Sequence, residues 1–358
     1  MKVIQDRVVA RRGAAHLKVL RDGEVVIDRT FGCPPGTSFL IFSAGKPLLA
    51  VLVHLLVERG LLTLDDPIAQ HWPEFARHGK GGITVRHVLQ HRAGIPVARS
   101  LFLDALAAPS WQRSIRALEA ARPVSGPGER PAYHILSFGH ILGEVVRRVT
   151  GADLRDVLRA ALLEPLGMKD TFLGLPPDRW AGRLKVRSRG RGRAAQVFFN
   201  TRAVRRAVIP AATMTSTAAD LARFYQAMLD GGGGTLPPSV IRAAVTPTCD
   251  MEIDGLLGVP VRWSQGFQLG GPCPDPTTAR PMGTLSSRAA FGHNGSNACV
   301  AWADPERRLV LVYLSNLPSP EFTSSPHQSA VSDTVLRAYP LTEPVNLGRS
   351  RRPGRHDA

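Results

Sequence analysis

The segment Leu48–Arg59 (LLAVLVHLLVER) carries no charge before its last two residues, is apolar nearly all round at helical spacing, and is followed at once by the helix stop Gly60. A helix of this kind has no polar face to turn to water, so it must run deep inside a core with other elements packed on every side. With 358 residues the chain is long enough to build that core without disulfide or metal staples. Elsewhere no run approaches the roughly 20 apolar residues of a membrane span. The N-terminal MKVIQDRVVARRG lacks the apolar stretch of an export signal, which makes the cytoplasm the expected location.

Strand signals sit at the two ends of the chain. AHLKVL and VVIDRTF flank Arg21-Asp22-Gly23-Glu24, and Asp-Gly between alternating runs predicts a hairpin. Cys299–Ala303 and Leu309–Ser315 flank Asp304-Pro305-Glu306-Arg307 in the same manner. The middle is helical: Phe138, Ile141, Leu142, Val145, Val146 and Val149 fall at helical spacing, Asp153 caps a second helix, and Thr217 opens a third. The expected architecture is a mixed α/β (α+β) fold, with one antiparallel sheet formed by N- and C-terminal strands, flanked by helices, and a large helical lobe beside it. Residues 1–340 are expected to form one domain, with a sheet lobe at about 14–46 and 260–340 and a helical lobe at about 47–230; residues 341–358 (TEPVNLGRSRRPGRHDA after Leu341) read as a basic, disordered tail.

Lys and Arg outnumber Asp and Glu by 45 to 29, for a formal charge of +16. Lysine occurs only at Lys2, Lys18, Lys46, Lys80, Lys169 and Lys185, so arginine carries nearly all of the excess. The densest basic stretch, RLKVRSRGRGR from Arg183 to Arg193, has no interleaved aromatic residue for stacking on bases and reads as a solvated loop. No nucleic-acid partner is expected. A non-catalytic protein that binds anions through this stretch is the alternative outside enzyme chemistry. Cys33, Cys249, Cys273 and Cys299 have no zinc spacing and read as free thiols.

A serine hydroxyl becomes a useful nucleophile near neutral pH only with a base in hydrogen-bond reach. In Phe42-Ser43-Ala44-Gly45-Lys46 a serine and a lysine stand three apart, on the same face of a helical turn. Helix N-terminal N–H groups favour negative charge at such a serine, and desolvation beside a buried helix lowers the amine pKa. Pro47 disfavours helical dihedrals at Lys46, so the helix is expected to start near Ser43 or to be locally distorted. The Gly-x-Ser-x-Gly elbow is absent, because Ile41 stands two residues before Ser43. His87 and His91 lack the glutamate of a zinc-protease motif, and Asp65-Asp66 before Pro67 reads as a turn. Trp72 and Trp111 read as packing residues.

Six blocks in order extend the S-x-x-K signal: FSAGKPLLAVLVHLLVERGLLTLDDPIAQHWPEF from Phe42, ITVRHVLQHRAGIP from Ile83, GPGERPAYHILSFGHILGEVVRRVTG from Gly126, EPLGMKDTF from Glu164, TMTSTAADLARFYQAML from Thr213 and FGHNGSNACVAWADPE from Phe291. Together they resemble the serine β-lactamase-related superfamily, especially class C β-lactamases and family VIII carboxylesterases, over approximately residues 14–316. The resemblance implies a β-lactamase/transpeptidase-like fold and a Ser43 nucleophile with Lys46 as its base. It implies that Tyr133, in Tyr133-His134-Ile135, shuttles protons where relatives carry Tyr-x-Asn, with His134 beside it at the substrate-binding edge. His293-Asn294-Gly295 matches the Lys-Thr-Gly or His-x-Gly element, so His293, Asn294 and Gly295 are expected at the substrate, and the N–H groups of Ser43 and Ser296 in an oxyanion hole. Ile135 replaces an amide and His293 a lysine, which weakens β-lactamase and D-alanyl peptidase readings. The implied function is a cofactor-free serine hydrolase cleaving a small-molecule carboxylic ester through an acyl-enzyme, with a biosynthetic acyltransferase using the same intermediate as the alternative.

Overall fold

The computed structural model describes residues 1–188, 192–272, 280–319 and 326–341. Asp22 and Gly23 both take positive φ (52° and 82°), the twist that joins β1 (Ala15–Arg21) to β2 (Glu24–Phe31) without splaying them. The remaining strands are β3 (Phe39–Leu40), β4 (Phe172–Leu173), β5 (Met214–Ser216), β6 (Cys249–Ile253), β7 (Pro260–Trp263), β8 (Gln268–Leu269), β9 (Phe291–Gly295), β10 (Cys299–Asp304) and β11 (Leu309–Ser315). Eight of them form an antiparallel sheet in the order β2-β1-β11-β10-β9-β8-β7-β6. β1 pairs with β11 from Ala15 opposite Ser315 to Arg21 opposite Leu309, so the two ends of the chain complete one sheet, as the sequence predicts. A small sheet of order β3-β5-β4 lies beside it.

β11 is covered on both faces, which explains its unbroken apolar run. Val310, Val312 and Leu314 join the core of the helical lobe. Leu309, Leu311 and Tyr313 face Ile4, Val8, Val331 and Val335 on two helices, Lys2–Arg11 and Pro326–Ala338. The N-terminal helix is not foreseen in the sequence; it docks chiefly through Ile4 and Val8, one turn apart. Strands also begin at Cys249, ahead of the position near 260 expected for the sheet lobe. Asp250 and Glu252 and a register shift between them hide the alternation that would mark β6 as a strand.

The apolar helix runs from Lys46 to Glu58, and every side chain from Lys46 to Leu56 is buried. It packs against the helices Ser137–Thr150 and Pro238–Val245. The basic stretch after Arg183 departs from a fully solvated loop. Val186 is buried, its N–H donates to Asn200 Oδ1 (2.9 Å), and Arg187 N donates to Asn316 O (2.8 Å). Residues 189–191, Cys273 and the tail from 342 onward lie outside the described residues. Cys33, Cys249 and Cys299 are free thiols, and no helix among the described residues is long and apolar enough to cross a membrane.

Candidate active site

β3 feeds directly into the serine. Ile41 N donates to Met214 O on β5 (2.9 Å), which fixes the chain where it turns. Phe42 then takes a positive φ of 50°, an unfavourable conformation for a residue with a Cβ, and its ring meets Phe199 edge-on at 5.0 Å. Phe42–Gly45 is a single 3₁₀ turn, and the α-helix begins only at Lys46. Pro47 thereby falls in the first helical turn, where a missing N–H costs nothing. The distortion that the sequence predicts at Pro47 is this change of helix type.

Ser43, Lys46 and Tyr133 come together. Lys46 Nζ lies 3.0 Å from Ser43 Oγ and 2.8 Å from Tyr133 Oη, and Ser43 Oγ is 3.4 Å from Ala211 O. The lysine is fully buried, and burial pushes its amine well below the usual lysine range. Burial also raises the Tyr133 phenol, with the Asp254 charge adding to the effect against a hydrogen bond from Ser43. The neutral amine and the neutral phenol are the forms that this environment favours, so one accepts a proton and the other donates or relays one.

Residues far away in sequence hold Tyr133. Its ring stacks on Trp263 of β7, with centroids 5.5 Å apart and planes within 4°. His91 packs against Tyr133, Phe138 and Trp263 at 5.0, 5.0 and 4.8 Å. Tyr133 N donates to the buried Asp254 Oδ1 (3.0 Å), which also accepts from Leu256 N and Leu257 N (2.9 Å each). Neither Trp263 nor Asp254 stands out in the sequence as a site residue, and His91 stands out only as a metal-ligand candidate that lacks the motif's glutamate.

His134 does not edge the cleft. It is fully buried, its Nδ1–H donates to Ala132 O (2.6 Å), and its Nε2 accepts from Ile95 N (3.3 Å). Both ring nitrogens therefore tie the loop before Tyr133 to the backbone, and burial lowers the ring pKa to about 4. His293 is likewise fully buried, with its ring 6.0 Å from that of Tyr133 and 6.1 Å from that of Trp263. Its Nδ1 donates to Asn294 O (2.6 Å), and Nε2 has no partner among the described residues. Burial, chiefly, lowers its pKa to about 3. Its neutral ring stands beside Tyr133 and Trp263.

β9 closes the site from the sheet side. A Cβ on Gly295 would stand 2.1 Å from Ile41 O and 3.2 Å from Ala44 N, so only glycine lets this strand meet the serine turn. Ser296 and Asn297 follow with φ of 47° and 51°, which turns the chain sharply beside Ser43. Asn294 braces that turn: it exchanges hydrogen bonds with Gln268 (3.1 Å each) and donates to Asn297 Oδ1 (3.2 Å). Among the described residues no group of three His, Cys, Asp or Glu side chains is placed to hold a metal ion. Asp65 pairs with Arg86 and Asp66 with His71, in the turn that the sequence predicts.

A family model described as Beta-lactamase matches residues 2–334. Among curated proteins, the esterase/beta-lactamase LipL of Mycobacterium tuberculosis is 28% identical over 349 residues, covering 86% of this chain and 77% of that protein. Esterase EstB of Burkholderia gladioli is 31% identical over 194 residues, 49% of this chain and 48% of its own length. The crystal structure of a family VIII carboxylesterase matches with a TM-score of 0.76 at 27% identity, covering 94% of this chain and 96% of that one.

Proposed function

The chain belongs to the beta-lactamase family, and from that premise we propose that it is a serine carboxylesterase acting through a Ser43 acyl-enzyme. The observation that carries this reading is the buried Lys46 amine, in contact with both Ser43 Oγ and Tyr133 Oη. Ser43 Oγ attacks the ester carbonyl carbon while the neutral Lys46 takes its proton. The carbonyl π electrons move onto oxygen, and the N–H groups of Ser43 and Ser296 hold the resulting oxyanion. Collapse breaks the bond to the alkoxide, which leaves with a proton relayed from Lys46 through Tyr133. Water then attacks the acyl-Ser43 ester with the same groups as base and acid, and free Ser43 returns.

The neutral His293 and the apolar Ile135 favour a substrate without the carboxylate and acyl-amide handles of a β-lactam. Mass spectrometry after treatment with a fluorophosphonate probe is expected to find one adduct, on Ser43, that Ser43→Ala abolishes. p-Nitrophenyl butyrate should turn over well ahead of a chromogenic cephalosporin. An adduct on another residue, or an active enzyme that the probe leaves unmodified, overturns the assignment.

Gly295 tests the oxyanion part separately. Gly295→Ala must push β9 away from Ile41 O, and kcat for the same ester is expected to fall about 10²-fold with KM little changed. An unaltered kcat would remove the Ser296 N–H from the mechanism.

A further inference from the structure

Arg205 is a buried guanidinium without a counter-ion. It lies on the short helix Arg202–Arg206 and is 1% exposed, and among the described residues neither Nε nor Nη1 has a hydrogen-bond partner. Its Nη2 donates to Leu184 O across a long 3.5 Å. The guanidiniums of Arg262 and Arg307, whose side chains are 7% and 6% exposed, show the usual arrangement instead, since each pairs with a carboxylate, Asp250 and Asp304 respectively. No Asp or Glu occurs between Asp178 and Asp220, so the segment around Arg205 has no acid of its own. Asp170 and Asp178, the nearest before it, lie against Arg179 at 3.4 and 3.5 Å. Asp220, the first after it, accepts from Asp170 N, Thr171 Oγ1 and Arg223 Nη1.

A second guanidinium stands beside the first. Arg183, half-buried, lies with Cζ 3.5 Å from the centroid of the Trp180 ring, and its Nη1 donates to Trp180 O (2.8 Å). Its Nε is buried and has no partner among the described residues either. Burial, then the Arg183 charge, lowers the pKa of Arg205 to about 10, and no carboxylate acts in the opposite direction, so the group is still charged at neutral pH. Two like charges therefore share one site, with buried, unused N–H donors on both.

We propose that Arg205 and Arg183 together bind an inorganic oxyanion of the phosphate class, whose oxygens accept from the Nε and Nη1 groups that the described residues leave unpaired. A water molecule would fill the donors and leave both charges in place, whereas an anion answers both. A polynucleotide is too bulky to bring a phosphate to a side chain this deeply buried; a free ion enters from the half-buried Arg183 side. Arg205 N donates to Thr201 O (3.1 Å), two residues after Phe199, whose ring meets Phe42, so the bound ion would brace the segment that supports the serine turn. The site lies outside the esterase reading and makes no use of Ser43. The two therefore fail separately, because phosphate binding is read whether or not any ester is cleaved.

Titration calorimetry of the full chain, dialysed free of phosphate, is the test, with inorganic phosphate as the probe and NaCl holding the ionic strength constant. One phosphate site is expected, and Arg205→Met should weaken it by about tenfold or more. Phosphate should raise the thermal midpoint of the parent above that in NaCl of equal ionic strength, and Arg205→Met should lose this rise. Without phosphate the methionine variant is expected to melt no lower than the parent, since it removes an unpaired buried charge. Should that variant fail to fold, Arg183→Gln, at a half-buried side chain, carries the same test and should weaken phosphate severalfold. The proposal is overturned if the parent gives no binding heat, if chloride stabilises it as well as phosphate does, or if the folded variants bind phosphate as tightly as the parent.

Discussion

Replacing Lys46 with methionine is expected to lower kcat for ester hydrolysis by about 10²–10⁴-fold while leaving the thermal midpoint equal or higher. The two effects separate because of where the amine sits. Lys46 is fully buried, and no carboxylate enters the causes that set its pKa, so the fold gains nothing from its charge. An apolar chain of similar volume relieves that desolvation, which offsets the loss of the hydrogen bonds to Ser43 and Tyr133, and it takes away the base. Lys46→Arg should be as inactive as methionine, because a guanidinium keeps its proton, and it should also be less stable. The same reasoning fixes the pH profile. A base works deprotonated, and burial has brought this amine well below the usual lysine range, so activity is present on the alkaline side and is lost as pH falls through the lowered value. Tyr133, shifted upward, stays protonated into the alkaline range. Steady-state kinetics of Lys46→Met with p-nitrophenyl butyrate decide the matter: turnover within tenfold of the parent would mean that some other group removes the Ser43 proton.

The parts of this site that can be read in the sequence are those that local geometry fixes. Ser43 and Lys46 are three residues apart, and any helical turn brings them together. The hairpin around Asp22-Gly23 is legible for the same reason, since its positive φ values demand those residue types. Tyr133 and Gly295 are visible only through the resemblance of several blocks in order. The support behind Tyr133 is invisible, because distance along the chain hides it: Asp254 accepts the Tyr133 N–H from 121 residues away, and Trp263 lies on a four-residue strand with no marked pattern. His134 misleads for a related reason. Its position matches a substrate-facing motif, but the burial of its ring is decided by the loop after Gly94 packing against it, and neighbouring sequence does not encode that. Pro47 shows the opposite case, in which a local rule is obeyed by an unexpected route: the 3₁₀ turn absorbs its constraint.

Acid should unfold this protein cooperatively somewhat above pH 4, and the cause is a set of histidines that the fold keeps neutral. His54, His134 and His140 are lowered by burial from 6.5 to about 4, and His293 to about 3. No carboxylate offsets the burial of any of the four. In the unfolded chain these rings take up protons as pH falls through 6.5, while in the folded chain they cannot. Their contribution to stability is therefore complete above about pH 6.5 and is lost progressively down to about 4, with no further loss once the folded rings also titrate. By pH 4.5 the four together remove roughly 10 kcal/mol, against a total stability of about 5–15 kcal/mol for an ordinary domain; even half that loss is decisive. Urea midpoints measured by circular dichroism should fall steeply between pH 6.5 and 4.5, and a midpoint that stays constant over that interval would show that these rings are protonated in the folded state. His54 offers a direct control. Its Nε2 has no partner among the described residues, and it lies on the apolar helix among leucines and valines. His54→Leu removes one of the proton acceptors together with the ring's hydrogen bond to the Gln265 backbone, a loss that does not vary with pH, so stability at pH 5 should rise relative to pH 8 and the acid transition should move to lower pH.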